Sequence, residues 1–482
     1  MKENKKKFYI TTPIYYANDK PHIGSAYTTI AADVIARYHR IVAGDDVLFL
    51  TGTAEHGTKI TRSAESAGKS PQEFVDDVSA QFKTAWEKLH ILPDDFIRTT
   101  EERHTKSVEI FFEKLKASGK IYEGDYKGLY CVGHEAFIKE SELNEQGLCP
   151  DHKTKPEQVS ERNWFFKLSE YQDILKKKIE SGEFLIEPDF RRNEVLAFID
   201  RGLEDIAISR QNVPFAILLP WDKDQTIYVW LDELFNYCSA IGYGSDEEKF
   251  KKYWPADVHL VGKDIIKFHC VIWPALLLAI KEELPKKVFA HGFFTIDGQK
   301  ISKTIGNVID PVELAEKYGG DAVRYFVLRE IPFGYDGDFS LTKFTERYDA
   351  DLANALGNLI SRVTNLIEKN CEGQVPKQVE SPKRAENLQK FIEEFRLHDA
   401  LENIWENVRW ANQFIDQAKL WELPKKNPAL FEDVISSLVA LLKQVSLELA
   451  PFLPETATKI DKILNTDSIK KAEVLFPKLG SD

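Results

Sequence analysis

The stretch from Phe8 to Arg40 constrains the fold more than any other. Phe8 to Tyr16 is dense in aromatic and β-branched residues and reads as a buried strand. Asn18-Asp19-Lys20-Pro21 is turn chemistry. From His22 to Arg40 the apolar residues Ile23, Tyr27, Ile30, Val34 and Tyr38 recur three or four apart, which predicts a helix. Gly24 falls in the first turn of that helix. A strand, a turn and a helix start make an anion site, because free N–H groups and the helix dipole face the ligand. Val47 to Thr53 predicts a second strand. Ser70-Pro71-Gln72-Glu73 reads as a helix start with N-cap, N1 proline and capping-box glutamate, and Thr99 with Glu102 as another. Such alternation predicts an α/β fold on a parallel sheet, with its ligand at the carboxyl ends of the strands.

From about Tyr122 to about Trp221 the alternation breaks into short strands and turns, as expected of an insertion. Within it lie Cys131-x2-His134 and Cys149-x2-His152, with fourteen residues between them. Two thiolates and two imidazoles at that spacing suit a structural, tetrahedral zinc with no open position. The plainer reading is two unrelated Cys–His pairs on a surface insertion. Alternation then returns: Tyr228–Leu231, Val258–Gly262 and Val288–Ile296 read as strands, and Ile265–Ile280 as an apolar helix. The last strand leads to the basic loop Lys300-Ile301-Ser302-Lys303-Thr304. Asp310-Pro311-Val312-Glu313 caps the next helix. Beyond Phe339 only helical periodicity remains. Leu352, Leu356, Leu359, Val363 and Ile367 form one apolar stripe, and the pattern predicts an all-α bundle.

The chain has 482 residues, enough for several domains. Apolar content of 43% and charged content of 29% describe a globular chain with ample core. No apolar run has the length of a membrane span, and the N-terminus has no signal-peptide plan, so no membrane partner and a cytoplasmic location are expected. Five cysteines argue against a disulfide framework. The net charge of −13 excludes a nonspecific nucleic-acid binder but leaves room for local basic patches.

Taken together, these segments resemble the class I aminoacyl-tRNA synthetases. Pro21-His22-Ile23-Gly24-Ser25 resembles their HIGH signature, and Lys300-Ile301-Ser302-Lys303-Thr304 their KMSKS loop. The likeness narrows to the methionyl-tRNA synthetase family, of the bacterial type with a single zinc knuckle. It is carried by Phe8–Tyr16, Leu50-Thr51-Gly52-Thr53, Glu55-His56-Gly57, Ile208-Ser209-Arg210, Tyr228–Asp232, Val261–Ile265, Lys300–Asn307 and Gly357–Arg362. The resemblance implies a class I Rossmann-like catalytic domain in two halves, 1–120 and 223–296. A connective insertion with the zinc knuckle covers 121–222, the KMSKS loop and stem-contact region 297–340, and an α-helical anticodon-binding domain 341–482. It further implies a ligase that activates L-methionine with ATP and Mg²⁺, releases pyrophosphate and charges tRNA(Met). Catalytic roles fall on His22, Ser25, Lys300 and Lys303, and nucleotide contacts on His22, Gly24, Lys263, Asp264, His291 and Lys303. The amino-acid pocket is implied at Pro13, Ile14, Tyr16, Ala54, Trp230, Leu234, Tyr237, Ile265 and His269. Physically that is an apolar, aromatic slot suited to a flexible thioether. Asn358 and Arg362, four apart on one helical face, are implied to read anticodon bases. A monomer is expected.

Three positions depart from the family pattern. Ser25 stands where the second histidine of the first signature belongs. Ala54 stands where the family has an aspartate that holds the substrate α-ammonium. Glu233 stands where the family prefers a small residue beside the pocket. These departures keep two further readings open: a catalytically impaired tRNA-binding relative, and a synthetase with altered amino-acid choice.

Overall fold

The structure is a computed structural model that describes residues 5–151, 153–211, 213–296, 298–300, 308–377 and 386–479. The chain divides into two compact units. The first comprises Met1–Pro21, Gly44–Thr84 and Pro93–His291; the second comprises His22–Ala43, Ala85–Leu92 and Gly292–Asp482.

A parallel sheet organises the first unit. Its strands lie in the order Asp95–Arg98, Asp46–Ala54, Lys7–Tyr16, Val258–Gly262, Lys287–His291 and Leu185–Glu187, and every neighbouring pair is parallel. The chain leaves Lys7–Tyr16 to build one side of the sheet and returns later to build the other. The strand order therefore reverses between Lys7–Tyr16 and Val258–Gly262, where open parallel sheets form their ligand crevice. Tyr9, Ile10, Phe49, Leu50, Leu260 and Val261 are buried, as expected of strands covered on both faces. The insertion carries an antiparallel sheet of Ala136–Ile138, Ile121–Cys131, Glu157–Phe166 and Ile206–Ala207. Two of its strands are longer than the broken pattern suggested, and the helices Gln172–Glu180 and Asp189–Asp200 were not anticipated.

The second unit contains the helix Ile23–Tyr38 and a helical bundle. The bundle's helices include Asn358–Asn370, Leu397–Gln417, Pro428–Leu449 and Pro454–Leu464. The stripe Leu352, Leu356, Leu359, Val363 and Ile367 is buried. Arg324 is fully buried and pairs with Asp33 at 2.8 Å. It also donates to the carbonyls of Leu89, Pro451 and Phe452 at 3.2, 2.9 and 2.6 Å.

Four local expectations change. Tyr228–Leu231 is not a strand: the strand is Asp222–Ile227, and Tyr228 is the N-cap of the helix Val229–Leu234. The helix after Thr99 begins at Glu102, because the Thr99 hydroxyl accepts from the Glu55 N–H at 2.9 Å. Val288–Ile296 is two strands, Lys287–His291 and Phe294–Ile296. Gly292 lies between them, where a Cβ would meet the Tyr335 backbone at 2.3 Å. Ile265–Ile280 is a composite of a 3₁₀ turn Lys263–Ile265, a π-helical stretch Phe268–Ile272 and an α-helix Trp273–Ala279. Pro274, which lacks an N–H, starts the α-helical part.

Candidate active site

The residues expected to form the amino-acid pocket sit at strand ends and on short helical segments of the first unit. Pro13, Ile14 and Tyr16 close the strand Lys7–Tyr16, and Ala54 closes its neighbour, with Tyr16 and Ala54 facing each other in register. Trp230 and Leu234 lie on one face of the short helix Val229–Leu234, four residues apart. Ile14, Ala54, Leu234 and Tyr237 share one buried apolar cluster, and Tyr16, Trp230 and Ile265 pack against it. The Trp230 ring stacks on Phe268 with centroids 4.0 Å apart and planes 14° from parallel.

His269, in the π-helical stretch, has both ring nitrogens engaged. Nδ1 faces the Ile265 carbonyl at 3.0 Å, so it carries the proton. Nε2 therefore accepts from the Tyr237 hydroxyl at 2.7 Å. Burial depresses the imidazole to about 4, so it is neutral at physiological pH.

Beneath the pocket lies a network that the sequence analysis did not assign. Asp232 accepts from His56 Nδ1 and His104 Nε2 at 2.7 Å each, and His104 Nδ1 meets Ser239 Oγ at 2.7 Å. Burial alone would raise the Asp232 pKa, but the two imidazoles outweigh it and bring the carboxyl to about 2. Lys59 and Glu135 were also missed. The Glu135 carboxylate accepts from the Lys59 N–H at 2.5 Å, and the Lys59 ammonium stands over the Tyr16 ring at 5.4 Å. His56 and Asp232 stand in the motifs Glu55-His56-Gly57 and Tyr228–Asp232, but nothing in those motifs pairs them.

Two adjacent strand ends carry the proposed nucleotide residues of this unit. Lys263 and Asp264 follow the strand Val258–Gly262, and His291 ends the next strand with its Cα in register with Gly262. His291 is buried, Lys263 half-buried and Asp264 exposed. Asp264 lies inside its 3₁₀ turn, whose N-cap is Gly262.

In the second unit, His22 caps the helix Ile23–Tyr38. Its Nδ1 accepts from the Gly24 N–H at 3.0 Å, which leaves the ring proton on Nε2. A side chain at Gly24 would crowd that ring, meeting His22 Cε1 at 2.9 Å. The Ser25 hydroxyl donates to the His22 carbonyl at 2.8 Å and accepts from the His22 N–H at 3.1 Å, completing a capping box. Gly24 and the buried Ser25 thus shape the helix start around the exposed His22. Lys303, Ser302 and the rest of 301–307 lie outside the described residues, as does the Lys300 side chain; the Lys300 backbone pairs with Thr295.

The knuckle brings three donors together. One ligand atom each of Cys131, His134 and Cys149 lie within 4.8 Å of one another, and both cysteines are buried and unbridged. His152 lies outside the described residues. His134 Nδ1 approaches Cys149 Sγ at 3.6 Å, while its Nε2 meets the Asp151 carboxylate at 3.3 Å. A ligating imidazole oriented by a carboxylate is the usual outer support of a metal ligand, so the donor set fits a thiolate-preferring ion. The knuckle also reaches the pocket. The Trp230 indole N–H donates to the His134 carbonyl at 3.1 Å, and the Tyr228 hydroxyl to the Glu135 carbonyl at 2.6 Å.

In the bundle, Asn358 is exposed and Arg362 forms an ion pair with Asp416, a partner the sequence did not reveal. No helix among the described residues is long and apolar enough to cross a membrane.

Comparison with known proteins gives the arrangement a family. The family model described as tRNA synthetases class I (M) matches residues 8–155 and 152–364. The methionine–tRNA ligase of Thermotoga maritima is 46% identical over 94% of this chain and 74% of its own length. That of Rickettsia conorii is 44% identical over 98% of this chain and 95% of its own. The crystal structure of the Mycobacterium tuberculosis methionyl-tRNA synthetase bound by methionyl-adenylate superimposes with a TM-score of 0.92 and 36% identity, covering 98% of this chain and all of that one. With that family model spanning most of the chain and relatives 46% and 44% identical over nearly all of it, the chain belongs to the methionyl-tRNA synthetase family of class I aminoacyl-tRNA synthetases.

Proposed function

We propose that the chain is a methionine–tRNA ligase. It activates L-methionine with ATP to methionyl-adenylate, releases pyrophosphate, and transfers the methionyl group to the 3′ end of tRNA(Met). What supports this reading is the buried cluster of Leu234 and Tyr237 with Tyr16 and Trp230 packed against it, and the Tyr237–His269 hydrogen bond beside it, in a chain 46% identical to a methionine–tRNA ligase. The apolar walls accept a thioether side chain, and the Tyr237–His269 pair gives the pocket a fixed, uncharged polar end. The substrate carboxylate then attacks the α-phosphorus in line. Adenylation of this kind needs little covalent help, so the rate comes from positioning and from charge stabilisation of the leaving pyrophosphate.

His22 offers its Nε2 proton to a phosphate oxygen, with its ring held by the Gly24 N–H. Ser25 contributes by holding that helix start, since its hydroxyl proton already goes to the His22 carbonyl. Lys300 and Lys303 supply positive charge to the triphosphate. Lys263, Asp264 and His291 contact the nucleoside, with Asp264 suited to ribose hydroxyls. Mg²⁺ bound with ATP neutralises phosphate charge. Asn358 and Arg362 read the anticodon, with Asp416 holding the guanidinium in the absence of RNA. Cys131, His134, Cys149 and His152 hold one structural Zn²⁺, which fixes the loop that supports Trp230. The functional segments are the catalytic halves 1–120 and 223–296, the knuckle insertion 121–222, the loop and stem region 297–340 and the anticodon bundle 341–482. The enzyme works as a cytoplasmic monomer.

Charging of a tRNA(Met) transcript with labelled methionine tests the reading. ATP-dependent charging that falls when the CAU anticodon is changed supports it. Transcript binding without charging favours the tRNA-binding relative. Charging with another amino acid points to altered choice.

A further inference from the structure

The first unit buries four carboxylates near the expected pocket residues, Glu55 after a strand end, Glu135 in the knuckle turn, and Asp232 and Glu233 on the helix Val229–Leu234, and three are well partnered. Glu55 accepts from Thr53 Oγ1 and Arg98 Nε at 2.7 Å and from Thr100 Oγ1 at 2.5 Å. Asp232 is held by two imidazoles at 2.7 Å. Glu135 accepts from the Lys59 N–H and from the Tyr130 hydroxyl. Glu233 differs. It is 7% exposed, and its Oε1 has no hydrogen-bond partner among the described residues. No other carboxylate oxygen of the first unit is buried and unpartnered among the described residues.

Position gives that oxygen a use. Glu233 lies three residues after Trp230 and one before Leu234 on the helix Val229–Leu234, so it shares the face that lines the pocket. Tyr16 is its neighbour on the strand side, and Tyr16 faces Ala54 in register. Ala54 has no side-chain acceptor. A buried carboxyl without a partner is costly in its charged form. Here burial, then the nearby Asp232 and Glu135 carboxylates, push its pKa well above the usual range, against the Lys59 ammonium and the Tyr16 hydroxyl. The other groups facing it are the Tyr228 and Tyr237 hydroxyls. Such a carboxyl gains an ion pair when a cation arrives.

We propose that Glu233 receives the α-ammonium of the amino-acid substrate through Oε1, so that a helix residue supplies the carboxylate that the strand end at Ala54 lacks. The proposal rests on the methionine-ligase reading and names the contact that orients the substrate in it. When the ammonium enters, one of its N–H groups donates to Glu233 Oε1, and no covalent bond of the substrate changes.

Two ligands separate this role from a merely structural one: L-methionine, and 4-(methylsulfanyl)butanoic acid, which is methionine without its amino group. Their affinities are measured by calorimetry, with competition for the weaker ligand, on the zinc-loaded full chain, Glu233→Gln and Glu233→Ala. The expected result is a ten- to hundredfold weaker L-methionine affinity in both variants, the loss of one charge-assisted hydrogen bond. The deaminated ligand should bind wild type and variants within about twofold. Unchanged methionine affinity, or equal weakening of both ligands, overturns the proposal while leaving the ligase reading intact. A wild-type protein that binds no methionine overturns both.

Discussion

Replacing Asp232 by asparagine tests how the pocket is held. The carboxylate sits between two imidazoles at 2.7 Å and is almost fully buried. A carboxyl whose pKa falls from 3.8 to about 2 on folding contributes about 2.5 kcal/mol at neutral pH. Asparagine keeps the shape but offers only one acceptor and turns an N–H₂ group toward the other imidazole, so about 2–4 kcal/mol should be lost. The sign follows from proton binding. The folded carboxyl holds its proton less tightly than the unfolded one, so the contribution is complete above about pH 4 and fades as pH falls toward 2. Asp232 shares its helix with Trp230 and Leu234, so methionine KM should also rise at least threefold. Urea titrations followed by tryptophan fluorescence, with KM from pyrophosphate exchange, measure both effects. A stability change below about 0.5 kcal/mol with unchanged KM would refute the network's supporting role.

Arg324→Met leaves three buried carbonyls without their donor and Asp33 with Arg37 as its remaining cation; a loss of about 3–5 kcal/mol is expected in urea denaturation of the second unit. Stripping the metal, or Cys149→Ser, should loosen the loop that accepts the Trp230 indole N–H at 3.1 Å; weaker methionine binding and a changed tryptophan emission are expected, and unaltered emission from verified metal-free protein would count against that link. The unfolded chain binds a proton at His269 near the usual 6.5, whereas the folded chain does so only near 4. The stability tied to its neutral ring should thus be complete above pH 6.5 and lost as pH falls from there toward 4. Replacing His269 with glutamine should flatten that part of the pH–stability curve.

Strand ends were the most legible part of this chain. Ile14, Tyr16 and Lys263 sit where strand-forming runs meet turn residues, and such junctions are local features of a sequence. Tyr228–Leu231 misled for the same reason. Its aromatic and β-branched content suits a strand, yet Tyr228 ends one and starts a helix. Long-range polar pairing left no local trace. His56 and Asp232 are 176 residues apart, and no periodicity announces that bond. The Arg362–Asp416 pair and the link from His134 to Trp230 were hidden likewise. The resemblance implies a nucleotide contact at Gly24; that its missing side chain also clears space for the capping His22 ring is visible only in the folded turn.

The most direct test of the central claim is amino-acid-dependent ATP–pyrophosphate exchange on the zinc-loaded chain, with methionine compared against the other amino acids. The account predicts exchange with methionine and at most weak exchange with any other. Exchange driven by a different amino acid, or none from folded protein, would contradict it.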